Sequence, residues 1–180
     1  MNRFTLAGAA TALCLMAGSA MATELKYNQF DLRYWWADEN SESGMGLGIR
    51  GLLTPDLYLV ASYDDNGVRQ TARYGGGYRY ALHPSATDVF AEVVQGEVKL
   101  RGGFESVSGI GASVGLRHLF TPTLEMSGRV NYLNLDGDFG DDLSFFGDVA
   151  WRYSKYFSLV LSLTVEEETN AAGLGFRFSL

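Results

Sequence analysis

Apolar and polar side chains alternate along most of this 180-residue chain, and ten segments keep the alternation long enough to be counted. Phe30, Leu32, Tyr34 and Trp36 make one apolar row, with Gln29, Asp31 and Arg33 between them. Met45 to Leu53, Leu57 to Tyr63 and Ala72 to Leu82 give the second, third and fourth rows, and Val89, Ala91 and Val93 a short fifth opposed by Phe90 and Glu92. The sixth is Ile110 to Phe120, passing through His118, and the seventh Leu124 to Tyr132. The last three are Leu143 to Tyr153, Phe157 to Val165 and Ala172 to Leu180. A period of two is that of a strand with different environments on its two faces.

The connections alternate in kind. Very short ones are built on Thr54-Pro55, His83-Pro84, Thr121-Pro122 and Ser154-Lys155, each preceded by an Arg: Arg50, Arg79, Arg117 and Arg152. The others are longer, polar and acidic. Ten strands of this spacing predict an all-β, antiparallel up-and-down transmembrane β-barrel, with short turns at the periplasmic end and long loops outside. The third and fifth segments alternate weakly, and Leu133, Leu135, Phe146 and Val160 fall on the polar face. Eight strands is therefore the alternative.

Residues 1–22 stand apart. Asn2 and Arg3 precede an apolar stretch from Phe4 to Met16, and Ala20-Met21-Ala22 supplies a small-x-small cleavage signal, so a secretory signal peptide is expected there and the barrel domain at residues 23–180. The single cysteine, Cys14, belongs to that peptide, which leaves the mature chain without thiol chemistry. Removing Arg3 with it moves the net charge from −7 to −8, and an acidic chain is a poor partner for nucleic acid. With 47% hydrophobic residues and no run of about 20 apolar residues, the chain must bury its apolar rows in a core, a partner or a bilayer.

A soluble barrel turns its apolar row inward, so alternation alone does not separate lipocalin-like binders from membrane barrels. The aromatic residues do. Tyr34, Trp36, Tyr63, Tyr74 and Tyr132 fall toward the loops, and Tyr80, Phe120, Trp151, Tyr153, Phe157 and Phe178 toward the turns, which is the double girdle of a membrane-facing exterior. The polar row then lines the lumen. Hairpin arithmetic sets Asp31 opposite Arg50, Arg117 opposite Glu125, Arg129 beside Asp148 and Arg79 near Glu92; with Arg152 and Arg177 these form an expected network of paired charges, since buried charges are costly unless paired.

The repeated Gly-x-Arg-turn unit and the ending Leu174-Gly175-Phe176-Arg177-Phe178-Ser179-Leu180 resemble the small outer-membrane β-barrel proteins of Gram-negative bacteria, the broad group that contains OmpX and the OmpA transmembrane domain. That resemblance implies residence in the outer membrane, export through the periplasm and recognition of the last strand by the assembly machinery. The terminal residue here is Leu180, where the group usually ends in an aromatic. It also implies outer-membrane lipid and lipopolysaccharide as surroundings, and a monomer.

Two kinds of barrel similar in fold are enzymes, the omptin proteases and a lipid A palmitoyltransferase, and both place a histidine near the outward rim. The histidines here, His83 and His118, lie at the turn end, so no nucleophile–base pair and no zinc site is expected, and no cofactor. Acidic loops around Asp38 to Glu42, Asp64 to Asn66, Asp136 to Asp142 and Glu166 to Glu168 read as solvated and soluble, with Ca²⁺ or Mg²⁺ binding the sharper alternative. Residues 95 to 108 form the longest expected loop. The reading is a structural or surface-interaction barrel; the alternatives are a narrow passive channel and, less favoured, a soluble binder.

Overall fold

The computed structural model describes residues 25–37, 43–65, 69–83, 86–100, 106–136, 141–166 and 170–180. The expected signal peptide lies outside them. Ten strands follow in order: β1 (Gln29–Ala37), β2 (Gly44–Leu52), β3 (Leu57–Asp65), β4 (Arg69–His83), β5 (Thr87–Leu100), β6 (Ser106–Thr121), β7 (Leu124–Leu135), β8 (Asp141–Arg152), β9 (Phe157–Val165) and β10 (Asn170–Ser179). Each pairs antiparallel with its neighbours in sequence, and β1 pairs with β10 to close the barrel. Closure leaves no strand edge unpaired.

The weakly alternating third and fifth segments are strands in the expected register, with Leu57, Leu59 and Tyr63 exposed on β3 and Tyr58 buried, and with Val93 exposed on β5 and Phe90 and Glu92 buried. One boundary differs from expectation. The stretch 95 to 108 is mostly strand: β5 runs to Leu100 and β6 starts at Ser106, with Gln95 opposite Ile110 and Lys99 opposite Ser106. Pairing on both sides carries β5 past the point where its outward side chains turn polar and the hydrophobic signal fades.

Three of the short turns share one device. Thr54 Oγ1 accepts the Leu57 amide at 3.0 Å, Thr121 Oγ1 the Leu124 amide at 3.0 Å and Ser154 Oγ the Phe157 amide at 3.1 Å. A hydroxyl three residues before the next strand thus satisfies its first donor.

Outside, the barrel carries a continuous belt of exposed aliphatic and aromatic side chains, among them Ile49, Leu59, Val93, Ile110, Leu143, Leu161, Leu163 and Phe176. Inside lie the arginines and acids, buried or half-buried. This arrangement is the reverse of a soluble barrel, and an apolar belt of that extent belongs in a bilayer.

The polar face is not wholly polar. Tyr58, Phe90, Leu133, Phe146 and Val160 all point inward and are buried. Several inward glycines make their room: a Cβ on Gly77 would strike the Tyr58 ring, and one on Gly173 would stand 2.6 Å from Trp35 Cε3. These glycines let aromatic rings lie flat against the neighbouring backbone.

Candidate functional site: the barrel lumen

The turn end of the lumen is closed. Residues 25–28, just before β1, bend inward, and Leu25 and Tyr27 join Tyr58, Phe90 and Leu119 in a buried apolar cluster. Above it, Arg117 Nη1 and Nη2 each donate to the Lys26 carbonyl at 3.2 Å, and the Arg117 and Arg79 guanidinium groups sit 4.5 and 4.6 Å from the Tyr27 ring centre. Burial pushes the Tyr27 phenol above its ordinary pKa, which keeps it a neutral stopper.

Below the loop-end rim, the paired lumen charges among the described residues sort into three groups. The largest centres on Glu125, whose Oε1 accepts from Arg117 Nη2 at 2.6 Å and Arg177 Nη1 at 3.0 Å, while Oε2 accepts from Arg152 Nη2 at 2.7 Å. Arg177 continues to Asp31 Oδ1 at 2.7 Å and to Asp148 Oδ2 at 2.9 Å. Arg33 Nη2 donates to the same two acids, at 3.0 and 3.2 Å. In the second group Glu92 accepts from Arg50 at 2.8 Å, from the Tyr58 hydroxyl at 2.9 Å and from Ser113 at 3.0 Å, with Arg129 3.8 Å away. In the third, Arg79 Nη1 meets Asp88 at 3.2 Å.

Of the four pairings drawn from hairpin arithmetic, Arg117 with Glu125 is present. The other three are replaced. Asp31 lies opposite Gly48 in β2 and bonds Arg177 directly across the β1–β10 seam, so Arg50 goes to Glu92. Arg129 lies opposite Phe146, and its nearest acid is Glu92 instead of Asp148. Arg79 takes Asp88 in place of Glu92. The reason is geometric: in a narrow lumen long arginine side chains reach across the barrel, so partners need not be register neighbours. Arg33 and Asp88, outside the expected set, also belong to the network, and both stand at inward positions of their strands.

The eleven girdle aromatics all occupy the outward row. Tyr34, Trp36, Tyr63, Tyr74, Tyr80, Tyr132, Trp151, Tyr153 and Phe178 are exposed there, and Phe120 and Phe157 are half-buried among neighbouring rings. Tyr34 and Trp36 meet edge to face at 5.1 Å, and Phe157 packs against Phe178 at 5.3 Å. His118 corrects its expected exposure to lipid: it is buried, edge-on to Phe120 at 4.6 Å, and its Nδ1 lies 2.6 Å from Thr87 Oγ1.

Toward the loop end the packing loosens. A cavity of about 70 Å³ lies at mid-height, and a second of about 100 Å³ above it shares Arg33, Ser62, Arg73, Arg129, Asn131 and Phe146 in its wall. At the upper rim Arg69 reaches Asp142 and Glu166, each at 3.4 Å. Asp142 and Glu166, read as loop acids, thus face an arginine; most of the other acidic loop residues lie outside the described set. No metal-holding cluster of three histidine, cysteine or acidic side chains occurs among the described residues.

An apolar exterior, a closed antiparallel sheet and a charge-filled interior define a transmembrane β-barrel. Solved structures with this fold include the KdgM porin (TM-score 0.52, 11% identity, over 84% of this chain and 99% of that one) and the NanC porin (TM-score 0.57, 8% identity, over 84% and 100%). A structure titled "De novo design of transmembrane beta-barrels" matches with a TM-score of 0.50 at 12% identity, over 89% of this chain and 100% of that one. At these identities the likeness is one of fold. No protein-family model and no curated protein sequence matches the chain.

Proposed function

We propose that this chain is an integral outer-membrane barrel that is closed to through-passage and acts as a structural or surface-interaction protein, exported through the periplasm and surrounded by lipid and lipopolysaccharide as a monomer. The observation that carries the reading is the stopper at the turn end, Leu25 and Tyr27 beneath the Arg117–Glu125 pair. Ten strands already enclose far less space than the 16 to 18 of open porins. Here that space is filled by side chains on one side of mid-height. No catalytic role is assigned to any residue.

A narrow channel is the second reading, favoured by the cavities at the loop end, which leave only the stopper between vestibule and turn-end solvent. Planar-bilayer recording separates the two. The full chain should give no unitary steps, and a Leu25→Gly/Tyr27→Gly variant should give small ones. Steady conductance from the unaltered protein would overturn the closed-barrel reading.

A further inference from the structure

The mid-height cavity has a wall of unbalanced charge. Arg33, Arg50, Arg73, Arg117, Arg129 and Arg177 line it against three carboxylates, those of Asp31, Glu92 and Asp148. Most of these groups are consumed by one another. The remainder is informative: the Nε–H groups of Arg33, Arg50, Arg73 and Arg129 are shielded from solvent and have no acceptor among the described residues. Arg33 is only 9% exposed. Arg73 makes no hydrogen bond or ion pair to any described residue, and Arg129 comes no nearer than 3.8 Å to a carboxylate. Phe146 walls the cavity beside them and takes Arg129 over its ring at 4.5 Å and Arg33 at 5.2 Å, which holds both guanidinium planes in place.

Guanidinium groups left without an acceptor around one cavity call for one, and Arg73 and Arg129, which hydrogen-bond no carboxylate, call for a negative one. Water could satisfy the donors, since the volume holds several molecules at about 10–15 Å³ each. It would leave the charge uncompensated. We propose that this cavity binds a small oxyanion of the phosphate or sulfate type, with Arg73 and Arg129 as its principal ligands and Arg33 and Arg50 completing the cage. Entry is from the loop end, through the upper cavity whose wall shares Arg33, Arg73 and Arg129. The site does not depend on whether the turn end conducts.

The test is titration of the folded full-length protein in detergent with inorganic phosphate, against sodium chloride at equal ionic strength, followed by calorimetry and by the thermal unfolding midpoint. A saturable one-site signal is expected, together with a midpoint that climbs with phosphate. Arg73→Gln should weaken binding at least about tenfold, because one charge-assisted ligand is lost. Arg73 hydrogen-bonds no described carboxylate, and Glu166, the acid it supports at longer range, keeps Arg69 when Arg73 is replaced. Lys155→Gln, the same charge change on the exposed turn-end surface, should leave binding unchanged. Folding of each variant is checked by heat-dependent gel mobility, and sulfate competition monitored by phosphorus NMR on the unaltered protein gives a reading that needs no variant. Phosphate acting no differently from chloride would overturn the proposal, as would equal binding in Arg73→Gln and Arg129→Gln.

Discussion

Replacing Glu125 by glutamine keeps the shape of the side chain and takes away its charge. In the native lumen this one carboxylate faces three guanidinium groups at 2.6 to 3.0 Å, and both it and Arg117 have side chains only 2% exposed. The amide can still accept at Oε1, but its NH₂ would confront Arg152 Nη2, donor against donor. Breaking a buried ion pair by removing one partner costs about 3–5 kcal/mol. Arg117 keeps the Lys26 carbonyl, and Arg177 keeps Asp31 and Asp148, so the lower end of that range applies, about 3 kcal/mol. The comparison is Arg69→Gln at the rim, where both ion pairs are 3.4 Å long and the side chains roughly one-fifth exposed; there a loss of about 1 kcal/mol or less is expected. Urea unfolding in lipid vesicles, read by tryptophan fluorescence and by gel mobility, measures both. A Glu125→Gln protein within about 0.5 kcal/mol of the parent, or an Arg69→Gln loss as large as that of Glu125→Gln, would refute the layered account of the lumen.

Other substitutions probe other layers. Leu161, in the middle of β9 and exposed, should cost about 2–4 kcal/mol as Leu161→Arg in lipid, whereas a water-facing position would absorb the change; near-neutrality would show that the belt is not in the bilayer. Gly173→Ala places a methyl group 2.6 Å from the Trp35 ring, and a loss of about 1–3 kcal/mol with a shifted tryptophan emission is expected; an unchanged spectrum and stability would mean the ring moves freely. Glu166, just beyond β9, has its carboxyl pushed up by burial, with Arg69 opposing and Asp142 adding to the shift. A raised native value gives stability that is full below the unfolded value near 4.5 and is lost as pH rises through the native one, so Glu166→Gln should flatten the decline in stability above pH 4.5; an identical slope in both proteins would contradict this.

Strand number and sidedness were legible in the sequence because a period of two survives even where the outward residues are small, as at Gly51, Ala61 and Gly76. The lumen was legible only residue by residue. Parity identifies which side chains enter, and it admits Arg33, Tyr58, Phe90 and Phe146 as readily as the arginines that stood out. It does not give their partners. Asp31 finds Arg177 only when the first and last strands are joined, and Arg33 finds Asp148 across the barrel from β1 to β8. The stopper leaves no mark in the sequence pattern for a different reason. Leu25 and Tyr27 are too short a segment to show a period, yet they share the parity of Gln29 and Asp31 and extend the inward row of β1 beyond its last ladder bond.

The anchor of that stopper is a main-chain carbonyl, and Asn28 repeats the device by accepting the Leu180 amide at 2.9 Å through its own. No substitution can delete a carbonyl, so the identity of residue 26 is free to drift while the attachment to Arg117 persists. Spacing is another matter. One residue inserted or removed between Lys26 and Gln29 would displace that oxygen by about 3.3 Å and turn it to the opposite side of the chain. The closure of this barrel is thus written in the length of its leading segment more than in its letters.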